Sequence, residues 1–573
     1  MSTSLRRAPA VLSAIALLIV SGCAGTPDRD ATGVPAPSSP SSTAPTAPPD
    51  PAARAAQLVA TLADEDLVGQ VLMPYAYGNS ATKVSGGSAA GNRKLAGVQT
   101  PAEMIAKYRL GGLILVGFSA DDPTGANQPT TNVDNPKQVG DLTAGLQAAA
   151  GKLPAGAVPA LIGIDQEFGV VTRISEGVTN LPSAMALGAG GDPALTETAW
   201  RSAGTELAAL GVNVDFAPSA DVLGANSKVI GSRSYGSDPK AASNQVGAAV
   251  RGLQGAGVAA TLKHFPGHGQ TAADSHKGLP VVKQNRKQLD SFALPPFAAG
   301  IDAGAWLVMA GHLDVRAVDP GIPATFSRKL LTDVLRTELG FTGVLVTDAM
   351  DMAAVAEQPP GQTAVRALNA GNDLVLMPPN VAEAYNGVLA ALRNGSLPRA
   401  RLVEAVTRVL TLKFRLADRP RPEMSTLNST GHQEAARRAA AAAITMLRGG
   451  CGAAPVTGPV TVTAANDRGT SRDRLIKALR AVGVKVVPSG GKVVHLVGYN
   501  DGTSDLRADA AVTVAMDTPY VLGRARSPVL LATYSSTAVS ITALADVLAG
   551  RAKPTGRSPV QVTGLPRSSC PAS

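Results

Sequence analysis

Residues 263 to 280 read Lys-His-Phe-Pro-Gly-His-Gly-Gln-Thr-Ala-Ala-Asp-Ser-His-Lys-Gly-Leu-Pro, gathering His264, His268, Asp274 and His276 into thirteen positions. Pro266, Gly267 and Gly269 break any regular element within the run. It follows Gly257-Val-Ala-Ala-Thr-Leu262, a short apolar stretch that reads as a buried strand. Ionisable groups crowded into a loop at the end of a strand are costly to hold there and point to chemistry. Asp274 and His276 are two apart, so an extended segment turns both the same way. The carboxylate can then orient the imidazole and stabilise its charged form, the requirement for a proton donor and acceptor in one side chain.

Two blander readings compete. Four of the six histidines (His264, His268, His276 and His312) fall within fifty residues, as they would at a zinc centre. The His264-x-x-x-His268 spacing serves a metal on a helix face, however, and Pro266 and Gly267 forbid a helix. No cysteine or His-Glu pair completes a ligand set nearby, so no metal and no cofactor is expected. The other reading is a loop that merely shapes the fold.

The elements that must position these groups are legible. Between residues 54 and 417, eight short apolar runs alternate with amphipathic stretches such as Pro193-Leu210, Pro239-Gly255 and Arg328-Leu339. The runs are Val71-Tyr75, Leu113-Val116, Ala160-Ile164, Val212-Phe216, Ala259-Leu262, Trp306-Met309, Val344-Val346 and Leu374-Met377. Eight strand–helix alternations predict an α/β fold, a (β/α)8 TIM-type barrel, with an open doubly wound sheet as the rival. In such a barrel the working residues sit at the C-terminal ends of strands. Asp165 ends the third run, Asp221 follows the fourth, Lys263 and His264 the fifth, His312 the sixth and Asp348 the seventh.

Residues 418–430 form a Pro-rich charged linker, and residues 431–573 read as a smaller α/β domain. An Ala-rich helix (Glu434-Leu447) leads into four strands, Val460-Ala464, Val493-Val497, Val512-Ala515 and Val529-Thr533, with helices at Arg472-Ala481 and Ala538-Leu548. This unit has no comparable ionisable cluster and no complete phosphate-cradling motif.

The start of the chain reads as targeting. Arg6 and Arg7 precede an apolar stretch, Pro9 to Val20, too short to span a bilayer comfortably, so residues 1–22 read as a signal peptide. Val20-Ser21-Gly22-Cys23 resembles the bacterial lipobox, which implies cleavage before Cys23 and lipid on that residue. The alternative is an ordinary secretory signal with a coincidental cysteine. Residues 23–53 are Pro, Ser, Thr and Ala with little apolar bulk, a tether. The expected location is therefore outside the cell, held to the membrane by the N-terminal lipid and facing the wall or periplasm. The two remaining cysteines, Cys451 and Cys570, are either a disulfide clipping the C-terminus to its domain or two reduced thiols.

The formal net charge of +9 falls by two once Arg6 and Arg7 leave, which suits a neighbourhood of anionic envelope polymers. Aromatics are 3% of the chain and no basic run interleaves with them, so nucleic acid is not indicated as a partner.

A glycosidase needs a nucleophile or base on one face of the sugar and a proton donor beside the leaving oxygen. Asp348, in Gly343-Val-Leu-Val-Thr-Asp-Ala-Met-Asp-Met352, ends an apolar strand and is the nucleophile candidate; His276 with Asp274 is the donor candidate. Asp351 competes with Asp348 but reads as a solvated or capping carboxylate in a following helix.

The chain resembles the family 3 glycoside hydrolases in their β-N-acetylglucosaminidase branch. The motifs are Gly163-Ile-Asp-Gln-Glu-Phe-Gly169 with Arg173, Phe216-Ala-Pro-Ser-Ala-Asp-Val222, Gly231-Ser-Arg-Ser-Tyr-Gly-Ser-Asp-Pro239, the Lys263-Pro280 run and Val346-Thr-Asp-Ala-Met350. The resemblance covers the barrel end to end and the second domain more loosely. It implies that Asp348 is the nucleophile, His276 the acid/base and Asp274 its partner. It also implies that Asp165, Arg173, Arg233, Lys263 and His264 hold a terminal N-acetylglucosamine; without that context Arg173 and Arg233 read as surface ion pairs. The β-glucosidase branch usually has Asp-Trp at the nucleophile, whereas Ala349 follows Asp348 here. Two positions depart from the pattern: Phe168 stands where relatives usually carry Gly, so its loop takes another path or offers a stacking face, and Gln270 replaces a common Asp.

The reading is thus a retaining β-N-acetylhexosaminidase acting on a GlcNAc-containing glycan or muropeptide of the cell wall, expected as a monomer. Its rivals are a β-N-acetylglucosaminide phosphorylase, since a neutral His repels phosphate less than a carboxylate does, and a non-catalytic glycan-binding lipoprotein.

Overall fold

The computed structural model describes residues 50–571 apart from 118–130, 225–226, 272, 453 and 467. The signal peptide, Cys23 and most of the tether lie outside the described residues.

Eight parallel strands occupy the eight apolar runs: β1 (Leu72–Met73), β2 (Gly112–Leu115), β3 (Leu161–Ile164), β4 (Val214–Asp215), β5 (Ala259–Phe265), β6 (Leu307–Ala310), β7 (Val344–Thr347) and β8 (Val375–Leu376). Strands β2 to β7 neighbour one another in chain order, and β8 pairs with β1, Leu72 opposite Val375. Two backbone bonds complete the ring. The Ile114 N–H donates to Pro74 O (3.0 Å), joining β2 to the end of β1, and the Thr347 N–H donates to Leu374 O (3.0 Å), joining β7 to β8. The sheet is therefore a closed (β/α)8 barrel. Strand β5 runs three residues past its apolar stretch, so Lys263 and His264 stand on the strand itself.

The outer helices begin where the sequence caps them. Asp192 precedes Pro193 and accepts from the Ala194 N–H at 2.8 Å, starting α2 (Pro193–Ala209); Asp238 precedes Pro239 and accepts from the Ala241 N–H at 2.8 Å, starting α3 (Pro239–Gly255). Each carboxylate satisfies an orphan donor while the proline occupies a position whose N–H would have no partner anyway.

The first helix, α1 (Pro51–Val59), packs on α5 (Arg399–Ala417), which places residues 51–53 in the fold rather than in the tether. Pro51 lies beside Trp306, the residue before β6, so the chain joins the barrel at the N-terminal ends of the strands. On α5, Lys413 is fully enclosed and donates to Gln70 Oε1 at 2.7 Å; burial pulls its ammonium down to about 7.

The second domain carries five strands: β9 (Thr445–Arg448), β10 (Val460–Ala464), β11 (Lys492–Val497), β12 (Val512–Ala515) and β13 (Val529–Ala532). Their order is β9-β13-β12-β11-β10, with only β9 antiparallel to its neighbour. Helices α6 (Thr430–Ala443), α7 (Gly469–Ala481) and α8 (Ala538–Leu548) cover it. The Ala-rich helix starts and stops earlier than its composition suggests: Thr445 to Leu447 leave it to form β9 against β13. Pairing with an existing sheet edge outweighs a helix propensity of a few tenths of a kcal/mol per residue. Cys451 and Cys570 are bonded, with their Cα atoms 5.4 Å apart, tying the end of the chain to the turn after β9. One apolar cluster seals the two domains, with Met185, Ala189, Leu223 and Ile230 of the barrel against Leu447, Val497, Tyr534 and Val560.

Candidate active site

The residues named from sequence converge on one pocket at the C-terminal ends of the barrel strands. Asp165, Arg173, Arg233, Lys263, His264, His276 and Asp348 all line it. Asp274 stands behind His276: its Oδ1 accepts from the His276 backbone N–H (3.0 Å) and lies 2.8 Å from His276 Nδ1. The ring is thereby fixed with Nδ1–H toward the carboxylate and Nε2 left for proton transfer. Burial opposes the Asp274 charge, but the His276 contacts hold its carboxyl below the usual range.

Asp348 follows β7 directly. Its N–H donates to Ala310 O (2.9 Å) and its Oδ1 accepts from the Ala349 N–H (2.8 Å). His312 pins the same turn, with Nε2 2.9 Å from Ala349 O and Nδ1 2.7 Å from Thr325 Oγ1. Burial would raise the Asp348 carboxyl, yet His264 and the Ala349 N–H hold it below its ordinary value, so it is an anion at neutral pH.

The opposite wall is a buried charge set. Arg233 grips Glu167 with both arms, Nε to Oε2 at 2.7 Å and Nη2 to Oε1 at 2.8 Å. Lys263 Nζ bridges Glu167 Oε1 (2.6 Å) and Asp165 Oδ1 (2.8 Å), and Arg173 Nη2 stands 3.9 Å from Asp165. Arg173 and Arg233 are about 5% and 4% exposed, which rules out surface pairs. Burial disfavours the Glu167 charge, but Arg233 and Lys263 hold that carboxyl far below its ordinary value. Glu167 was not singled out from sequence. The signal was available, since Asp165 and Glu167 are two apart and face alike in an extended segment.

Asp221 organises the histidine run. It lies 2.8 Å from His264 Nδ1 and accepts from the backbone N–H groups of His264 (3.2 Å) and His268 (2.6 Å). Gly269 then passes so close to the loop after β4 that a Cβ would lie 2.0 Å from Val222 O. His268 has Thr271 Oγ1 2.6 Å from Nδ1 and Ser275 Oγ 3.3 Å from Nε2, so its ring braces the loop. Gln270 accepts from Gln284 Nε2 at 3.1 Å within that loop.

Two expectations change. Asp351 is half-buried and not helical: it lies in a turn, its Oδ1 is buried with no hydrogen-bond partner, and burial pushes its carboxyl up to about 7. The following helix, α4 (Pro360–Ala370), begins only at Pro360, because the Pro359-Pro360 pair delays it. Phe168 offers no stacking face to a sugar. It keeps a left-handed backbone (φ 65°) and buries its ring edge-on to Trp200, centroids 5.5 Å apart.

An anionic carboxylate at one strand end, a carboxylate-backed histidine on the same pocket and a wall of buried hydrogen-bonding charges are what a sugar-cleaving barrel site requires. The comparisons agree. Residues 65–412 match the glycosyl hydrolase family 3 N terminal domain, and the chain belongs to that family of glycoside hydrolases. It is 35% identical over 378 residues to the "Beta-hexosaminidase A" of Pseudoalteromonas piscicida, covering 61% of this chain and 61% of that protein, so the match spans about three fifths of this relative. It is 40% identical over 267 residues to the "Beta-hexosaminidase" of Stenotrophomonas maltophilia (strain K279a), covering 45% of this chain and 77% of the relative. Among solved structures, a family 3 beta-N-acetylglucosaminidase from Paenibacillus sp. str. FPU-7 superposes with a TM-score of 0.75 at 32% identity, covering 88% of this chain and 99% of that one. That likeness extends through the second domain.

Proposed function

We propose that the protein is a retaining β-N-acetylglucosaminidase that removes terminal GlcNAc from peptidoglycan fragments. The observation that carries this reading is the 2.8 Å Asp274–His276 pair opening on the same pocket as the anionic Asp348. In the first step the Asp348 carboxylate attacks the anomeric carbon while His276 Nε2–H protonates the departing glycosidic oxygen. In the second, the neutral His276 takes a proton from water, whose oxygen displaces Asp348 and releases the sugar with its original configuration. Asp274 stabilises the imidazolium that each turnover requires. Asp165, Arg173, Arg233, Lys263 and His264 supply acceptors and donors for the hydroxyls of the terminal sugar.

The test is turnover of chromogenic β-N-acetylglucosaminide and β-glucoside by the protein lacking residues 1–50, with and without phosphate. Release of free GlcNAc from the first, independent of phosphate, is expected. Equal turnover of the glucoside, a sugar phosphate product, or no turnover would overturn the reading. The location follows from Cys23 as a lipid attachment site: Cys23→Ala should move the protein from membranes to the soluble fraction, and unchanged membrane association would refute it.

A further inference from the structure

After α8 the chain runs as a strap across both domains. From Pro554 to Val562 every second residue is buried (Pro554, Gly556, Ser558, Val560 and Val562), while Thr555, Arg557 and Gln561 are exposed. The segment is therefore extended, with one face pressed inward. Its backbone bonds alternate between the domains. The Gly556 N–H donates to Ile444 O (3.0 Å) at the start of β9, and the Arg557 N–H donates to Ala189 O (3.0 Å) in the short barrel helix Ala184–Gly190. Pro559 O accepts from the Ser237 N–H (3.0 Å) and from Ser237 Oγ (3.2 Å), just before α3. Further on, the Ser569 N–H donates to Met446 O (2.7 Å), and Cys570 closes on Cys451. Both ends of the strap are thus fastened to the second domain, with a piece of the barrel clamped beneath it.

The clamped piece is the loop that carries Arg233. Residues 227–237 hold one regular element, the single 3₁₀ turn Gly231–Arg233, so the loop takes its shape from what it touches. Its near foot, Ile230, is buried in the apolar cluster that Val560 and Val562 join. Its far foot, Gly236 and Ser237, rests on Pro559, where a Cβ on Gly236 would lie 2.7 Å from Pro559 Cβ. Between the feet, Ser234 Oγ donates to Asp221 O (2.6 Å) and the Leu223 N–H donates to Gly236 O (2.8 Å). The short helix that Arg557 holds presses on the same loop, since a Cβ on Gly188 would lie 1.9 Å from Tyr235 O.

We propose that this strap is a positioning element for the sugar-binding wall. Arg557 and Pro559 act through backbone groups, fixing the loop so that the Arg233 guanidinium keeps its two-armed grip on Glu167 and faces the terminal sugar. Neither residue lines the pocket. The inference rests on the role proposed above for that wall. A misplacement of about 1 Å in a group that orients substrate can cost up to ~10² in rate. Fastened covalently at Cys570, the strap recloses on the loop whenever one backbone bond opens.

Arg557→Pro deletes the N–H that bonds Ala189 O while exchanging only an exposed side chain, and Arg557→Ala keeps that donor. KM and kcat of the folded full chain are measured on a nitrophenyl β-N-acetylglucosaminide before and after dithiothreitol reduces the disulfide, with and without Arg233→Ala. KM should rise at least threefold in Arg557→Pro and at least tenfold once that variant is reduced. Arg557→Ala should stay within about twofold of wild type, and the pH limbs of kcat should not move. In the Arg233→Ala background neither the proline nor reduction should raise KM further, because the loop then has no guanidinium to place. The unsubstituted chain, which needs no variant to fold, should show at least a twofold rise in KM on reduction. An unmoved KM in either reduced protein, a loss confined to kcat, a shifted pH limb, an Arg557→Ala that matches Arg557→Pro, or losses that add to that of Arg233→Ala would overturn the inference. Arg233→Ala with the KM of wild type would instead refute the sugar-binding role of the wall, on which the inference stands.

Discussion

Replacing Asp351 by Asn should stabilise the protein increasingly as the pH rises. The folded chain keeps the Asp351 proton up to about 7, whereas an ordinary aspartate releases it near 3.8. Between those values the folded state binds more protons than the unfolded one, so stability falls as pH rises and the deficit is complete above 7. At 1.36 kcal/mol per pH unit, the full deficit is at most about 4 kcal/mol, of which less than half has accrued by pH 5. An amide is neutral at every pH and replaces a carboxyl whose buried Oδ1 has no partner to lose. Melting curves for wild type and Asp351→Asn at pH 5 and pH 8.5 would read this out as a gain of several degrees at the higher pH and a smaller one at the lower. A melting difference that is the same at both pH values, or larger at pH 5, would refute the reasoning. The variant should also keep turnover within about tenfold, because the charge it removes is not the attacking one.

Asp348→Asn removes the carboxylate proposed to attack, and kcat on a nitrophenyl β-N-acetylglucosaminide should fall by roughly three orders of magnitude or more; labelling of Asp351 by an activated 2-fluoro glycoside would contradict this. His276→Ala should cost about 10²–10⁴ in kcat/KM on a disaccharide and much less on a substrate whose leaving group departs without a proton, with equal losses counting against the donor role. Lys413→Met loses the bond to Gln70 Oε1 at every pH, so its effect on the melting temperature should be most favourable at or below neutral pH and turn less favourable as the pH rises. Burial holds the folded ammonium near 7 against 10.5, so the charged form penalises the fold fully below about 7 and the penalty fades as pH climbs toward 10.5. Parallel pH dependences for wild type and variant would show that Lys413 does not titrate there.

The barrel was legible because each strand is a compact apolar run, and three of them are followed within two residues by Asp165, His312 and Asp348. The dyad was legible for a different reason: Asp274 and His276 obey the two-residue period of an extended chain. What escaped depends on partners distant in sequence. Glu167 acquires its role from Arg233 and Lys263, far along the chain. Strand β9 continues an alanine-rich helix with no Gly or Pro to mark the change, and only the edge of β13 draws it out. Asp351 looked solvated because a three-residue spacing after Asp348 suits a helix, while burial, which sets its chemistry, has no signature in the local pattern.

Pro51 beside Trp306 gives the molecule a polarity. The chain enters at one end of the barrel and the substrate at the other, with the whole length of the strands between them. A label or fusion partner joined at Asp50 would therefore sit at the end of the barrel remote from the catalytic pocket and leave that pocket open.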